Sequence, residues 1–326
     1  MENKIHLDFL ALGTQKAGTT SLHDWLAQHD DIRLPSIKET HFFSHEDRFQ
    51  YGMDWYLKQF PSKPAAFTIT GEIDPEYLFI EGAAEKIKNL TDVNKFIVVL
   101  RHPIQRAYSH YLMTARRGLE ELPFDQAIMI EKERLSNDAN HLAIDHQTYI
   151  SRSMYSEQIG KYLTLFPDGK FLFIKFDDLI DKVESDSLYK RICDFIGTKY
   201  DVNLVDRSAS SNQASTPRLS LLRNIIYRKG ERSLFRKIVG SIIHDDAKLK
   251  ISMFIDKLNQ RKMHKSEIKQ LADYNLDRKI VTEILIDIDK TEHITGLSLQ
   301  NWKESLVEYL TERGQTHNYE AKIPYY

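Results

Sequence analysis

The chain has 326 residues, 41% of them apolar, and its 45 Lys and Arg stand against 47 Asp and Glu for a formal charge of −2. A chain of about 300 residues buries roughly three-quarters of its unfolded surface, so a sizeable core is available. The near balance of charge argues against a nucleic-acid protein held by a bulk basic surface. One cysteine, Cys193, excludes an internal disulfide framework, and no run reaches the ~18 apolar residues of a membrane span. The start, Met1-Glu2-Asn3-Lys4, does not read as a signal peptide, and the expectation is a soluble cytoplasmic protein.

In chain order, Leu7–Leu12 (LDFLAL) reads as the first buried strand. Thr19–Gln28 follows as a helix, opened by hydroxyls and carrying Leu22, Trp25 and Leu26 at helical spacing. Phe67–Thr70 (FTIT) and Phe96–Leu100 (FIVVL) read as further strands, and Pro103 suits the first turn of a helix running through Ala107, Tyr111 and Leu112. Tyr155–Phe166 sets Tyr155, Ile159, Tyr162, Leu163 and Phe166 on one face, and Phe171–Phe176 (FLFIKF) is the next strand. Strands alternating with helices predict an α/β fold, a P-loop-like parallel β-sheet flanked by helices, followed by a mostly helical C-terminal half. With no repeat or low-complexity linker, residues 1–326 read as a single domain. About 215–270 forms a basic helical segment, either a solvated face or a lid over an anionic acceptor. In such sheets ligands bind beyond the carboxyl ends of the strands, which directs attention to the turns after Leu12, Thr70 and Leu100.

The first of these turns is Gly13-Thr14-Gln15-Lys16-Ala17-Gly18-Thr19-Thr20-Ser21. Its glycines let backbone N–H groups turn inward, the next helix adds its N-terminal donors, and Lys16 adds a full charge: an anion cradle of phosphate size. A simple tight β–α turn does not require a lysine between two glycines with three hydroxyls behind it. A kinase loop would read GxxxxGK[ST], yet Thr19 follows Gly18 and the lysine lies upstream. After the later strand, Arg101 can grip a phosphate in bidentate fashion. Ser109, eight residues on, joins it if the intervening segment turns before the helix settles.

GTQKAGTTSL followed by VVLRHPIQRAYSHY resembles the two nucleotide-binding motifs of sulfotransferases that use 3′-phosphoadenosine-5′-phosphosulfate (PAPS). KETHFF at Lys38–Phe43, GEIDPEYL at Gly71–Leu78, FLFIKFDDLI, NQASTPR and TGLSLQNW extend the likeness over nearly the whole chain, toward the heparan-sulfate-type and bacterial carbohydrate enzymes. The resemblance implies that Lys16, Gly18, Thr19, Thr20 and Ser21 bind the 5′-phosphosulfate, and that Arg101 and Ser109 bind the 3′-phosphate. Arg218 would close over the nucleotide. It also implies PAPS as donor, 3′-phosphoadenosine 5′-phosphate (PAP) as product, no metal, and a hydroxyl-bearing acceptor such as a sugar or small metabolite.

The acceptor proton needs a base, either a histidine or a carboxylate. The resemblance makes Glu39 that base, with Lys16 stabilising the leaving phosphate. His41 is the second candidate, although a satisfied core histidine is its plainer reading, as an ion pair with Lys38 or Arg33 is for Glu39. One departure stands out. The family pattern GEKSP or GEKTP reads GEIDP here, with Ile73 where the lysine would be. Glu72 and Asp74 are then expected to orient acceptor hydroxyls or to meet a cationic acceptor. The rival readings are a P-loop kinase and a nucleotide-binding module without turnover.

Overall fold

The computed structural model describes residues 4–61, 69–136, 141–181, 184–201, 215–217, 260–262 and 271–314. The chain forms two compact units. One comprises Met1–Arg106, Arg152–Asn212 and Arg278–Tyr326, and the other Ala107–Ser151 and Gln213–Asp277.

In chain order the elements of the first unit begin with β1 (Phe9–Gly13), α1 (Thr19–Leu26), β2 (Ile32–Arg33), α2 (Glu46–Phe49), α3 (Gly52–Lys58), β3 (Ile69–Ile73), α4 (Ala83–Leu90) and β4 (Lys95–Leu100). Helix α5 (Pro103–Arg116) starts there and runs on into the second unit, which also holds α6 (Phe124–Met129), α7 (Glu131–Ser136) and α8 (His141–His146). The first unit resumes with α9 (Tyr155–Leu165), β5 (Lys170–Lys175), α10 (Phe176–Ile180) and α11 (Glu184–Ile196), and ends with α12 (Arg278–Thr295) and α13 (Gln300–Glu312). Short strands Ser215–Pro217 and Gln260–Lys262 pair antiparallel. The remainder of the expected basic lid, Arg218 included, lies outside the described residues.

The sheet is wholly parallel in the order β2-β3-β1-β4-β5, which puts β1 in its middle and its carboxyl end at the crevice where α/β sheets bind ligands. The strands are apolar because both faces are covered: all five residues of β1 are buried, and so are five of the six in β4. On one face Phe9, Ala11, Ile73, Ile97 and Val99 pack with Leu22 and Leu26 of α1 and with Leu188, Ile192 and Ile196 of α11. Gly71 is required by this packing, since a Cβ there would fall 2.3 Å from the Phe9 ring. The sequence reading ended the second strand at Thr70. In the structure β3 continues through Gly71, Glu72 and Ile73, so three of the five residues of GEIDP belong to the sheet and not to the turn after it.

The second unit is organised around buried carboxylates and rings. Glu120 accepts hydrogen bonds from Arg134, from the Tyr149 hydroxyl at 3.0 Å and from the backbone of Glu121 and Leu122. The Phe124 ring meets Tyr108 and Tyr274 edge to face, and Tyr108 with Tyr274 and Tyr111 with Phe124 pack at a tilt.

Candidate active site

The loop between β1 and α1 is built as an anion cradle. Ala17 N–H closes a turn on the Thr14 carbonyl at 3.0 Å, and Thr14 N–H ties the loop to Val99 of β4 at 2.9 Å. Lys16 takes a left-handed backbone at φ 70°, a conformation uncommon outside glycine. Gly18, at φ 86°, is the N-cap of α1 and supplies no side-chain cap, so the first N–H groups of the helix face outward with their dipole. Its α-carbon lies so close to Leu179 that a Cβ would be 2.7 Å away. Glycine is needed here for both conformation and space.

Arg101 leaves the carboxyl end of β4 and reaches this loop, its Nη1 donating to the Lys16 carbonyl at 3.0 Å while its guanidinium lies 4.6 Å from the Phe176 ring centroid. Burial lowers its pKa, and no carboxylate forms an ion pair with it among the described residues. The buried Nε of Arg101, the Thr14 hydroxyl oxygen and Oε1 of Gln15 all lack hydrogen-bond partners there. Two of these, the Arg101 Nε–H and the Thr14 hydroxyl, are donors that a bound polyanion would satisfy. Helix α5 begins at Pro103, which puts Ser109 in its second turn and in the second unit.

Behind the loop the support is ionic and buried. Gln15 Nε2 donates to Glu76 Oε1 at 2.7 Å, and Arg152 Nη1 pairs with Glu76 Oε2 at 2.7 Å. The Tyr155 hydroxyl donates to the Arg101 carbonyl at 2.7 Å, and Asp287 of α12 caps α9 by accepting from the N–H groups of Tyr155 and Ser156. His102 contacts Ser305 of α13 at 3.0 Å.

The KETHFF segment hangs from β3 by two buried carboxylates. Glu72 accepts from Thr40 N–H at 3.1 Å, the Thr40 hydroxyl at 2.5 Å, the Tyr56 hydroxyl at 2.8 Å and the Tyr77 hydroxyl at 3.0 Å. Asp74 accepts from His41 N–H at 2.7 Å and pairs with His41 Nδ1 at 3.2 Å. These contacts hold Glu39 and His41 in left-handed conformations, at φ 61° and 56°. Lys38 forms an ion pair with Glu39 and donates to Thr20 Oγ1 at 3.1 Å, which brings the candidate base against the first turn of α1. Arg33 instead donates to the carbonyls of Phe60 and Pro61.

Burial raises the Glu72 pKa to about 7, with the Asp74 charge adding to it. Burial alone would raise Asp74 as well, but the His41 charge and hydrogen bonds outweigh it and hold Asp74 below its usual range.

The expectation for Glu72 and Asp74 needs correction. Glu72 and Asp74 have no exposed surface, and their oxygens are taken up by Thr40, His41, Tyr56, Tyr77 and Glu76, so neither can orient an acceptor. Ile73, between them, points to the opposite face by strand alternation and sits in the core with Ala17 and Leu179. The acid–apolar–acid spacing at positions 72–74 was the signal available in the sequence: on a strand it puts both acids on one face. Nothing local in the sequence marks Gln15–Glu76–Arg152 or the Asp287 cap, which join residues far apart in the chain.

A glycine-flanked loop leading into a helix at a switch point, with an arginine beside it, defines a P-loop-like α/β protein. The sulfotransferase-domain profile matches residues 7–267, and the chain belongs to that family. It is 28% identical over 173 residues to heparan sulfate glucosamine 3-O-sulfotransferase 5 of Mus musculus, covering 52% of this chain and 48% of that one. With heparan sulfate glucosamine 3-O-sulfotransferase 3B1 of the same species the identity is 27% over 190 residues, covering 58% and 46%. The chain therefore spans about half the length of the curated relatives it matches. A solved sulfotransferase from Alicyclobacillus acidocaldarius has the same fold, with a TM-score of 0.58 and 20% identity over 91% of this chain and 98% of that one.

Proposed function

We propose that this protein transfers the sulfuryl group of PAPS to an acceptor hydroxyl. The observation that carries the reading is the meeting of Arg101 with the Lys16 loop, where the Arg101 Nε–H and the Thr14 hydroxyl are donors left without a partner. In this reading the loop from Lys16 to Ser21 holds the 5′-phosphosulfate and Arg101 the 3′-phosphate. PAPS supplies an activated S–O bond to phosphate. Lys16 stabilises charge on the departing phosphate, as cations do in phosphoryl transfer. Glu39 takes the acceptor proton, with Lys38 fixing its carboxylate beside Thr20. The relatives named for heparan sulfate glucosamine support a carbohydrate hydroxyl as the acceptor.

Arg101→Ala tests the nucleotide assignment. A lost charge-assisted contact to phosphate is worth about 1.5–3 kcal/mol, so PAP affinity should fall roughly ten- to a hundred-fold. Binding of adenosine 5′-phosphate should hold. Calorimetry showing equal weakening of both ligands would place the 3′-phosphate elsewhere. Stabilisation by ATP with magnesium but not by PAP would instead point to a kinase.

A further inference from the structure

Asp74 is a carboxylate without exposed surface, and a charge so buried requires a cation in contact. The groups that face His41 narrow the choice. From its own loop come Lys38 and Glu39, which pair with each other, and His45, whose ring centroid is 4.8 Å away. From β3 and the turn after it come Glu72, which burial holds toward its neutral form, and Glu76, which is paired with Arg152. What remains is Asp74 against His41. Burial works against a charge on the ring, but Asp74, aided by Glu76 and Glu39, outweighs it and raises the His41 pKa to about 10. Nδ1 is turned to Asp74, the His41 side chain is 31% exposed, and Nε2 has no partner among the described residues. Two hydrogen bonds join this region to the anion cradle: Lys38 to Thr20, and Gln15 to Glu76, two residues beyond Asp74.

We propose that Asp74 fixes His41 as an imidazolium whose Nε2–H is a cationic donor to a sulfuryl oxygen of PAPS, and that His41 is not the base. As the S–O bond to phosphate breaks and the bond to the acceptor oxygen forms, the acceptor proton goes to Glu39 and His41 keeps both of its own. The inference rests on the sulfuryl-transfer reading, whose own test is the Arg101→Ala calorimetry. The two can therefore fail separately.

Nitrogen-15 NMR of the full chain with labelled histidine, the His41 signals assigned through His41→Gln, tests it. His41 should stay doubly protonated from pH 6 to 8.5 in the wild type. In Asp74→Asn it should titrate at or below about pH 7, and kcat/KM should acquire an alkaline fall that the wild type lacks. PAPS should shift the Nε2 signal beyond the shift given by PAP. A neutral His41 in the wild type at pH 7 would overturn the proposal, even if Asp74→Asn failed to fold. Identical responses to PAPS and PAP would overturn it too, because the sulfuryl group is the only difference between those ligands.

Discussion

Glu39 and Ile73 carry opposite lessons about single residues. Glu39 is partly exposed, held in a left-handed backbone and paired with a lysine that also touches Thr20, so its carboxylate is fixed by its neighbours without being closed off from solvent. Glutamine keeps its size and polarity but cannot take a proton. Glu39→Gln should therefore lower kcat on the order of a hundred-fold or more while PAP affinity is kept. Near-normal turnover in steady-state assays, with intact PAP binding by calorimetry, would remove Glu39 from the role of base. Ile73 occupies a position of apparent functional interest in the sequence, yet its side chain is core. A lysine there would bury an ammonium among Ala17, Leu22 and Leu179, so that substitution would test folding and not acceptor choice.

Among the elements, β3 both belongs to the sheet and suspends the KETHFF loop, and its pH behaviour follows from that double duty. Glu72 is neutral in the fold up to about pH 7, whereas an unfolded glutamate ionises near 4.5. The folded state then binds more protons than the unfolded one between those values, so this contribution to stability is full below about 4.5 and lost as pH rises through about 7. Urea unfolding should show the wild type losing ground to Glu72→Gln across that window, by an amount on the order of 3 kcal/mol at most. Parallel stability curves would mean that Glu72 is charged in the fold. Much of the architecture was legible from local pattern: the apolar runs gave β1, β4 and β5 to within a residue or two, and the glycine-flanked motif joins strand to helix as expected, with Gly13 ending β1 and Thr19–Ser21 opening α1. The roles of Glu72 and Asp74 were not, because the end of β3 is decided by pairing with β1 at Leu10 and Ala11, a tertiary fact that the FTIT run does not contain.

On the scale of the molecule, the turn carrying Arg101 is braced by helices from the far end of the chain. Asp287 of α12 caps α9, whose Tyr155 holds the Arg101 carbonyl, and Ser305 of α13 meets His102. Asp287→Ala removes the acceptor for two N–H groups at the start of α9, and a lost cap costs about 0.5–2 kcal/mol. The melting temperature should fall by a few degrees, and PAP affinity should weaken with it as Tyr155 loosens. Unchanged affinity would show that the brace ends at α9. The same construction bears on synthesis. Because the first unit is assembled from three separated stretches of sequence, the last of them residues 278–326, its loop after β1 emerges from the ribosome well before the helices that brace it. At the usual elongation rates of about 5–20 residues per second, the Gly13–Ser21 loop waits tens of seconds for α12. A nascent chain arrested before residue 278 should thus carry every residue of the anion cradle and hold PAP poorly.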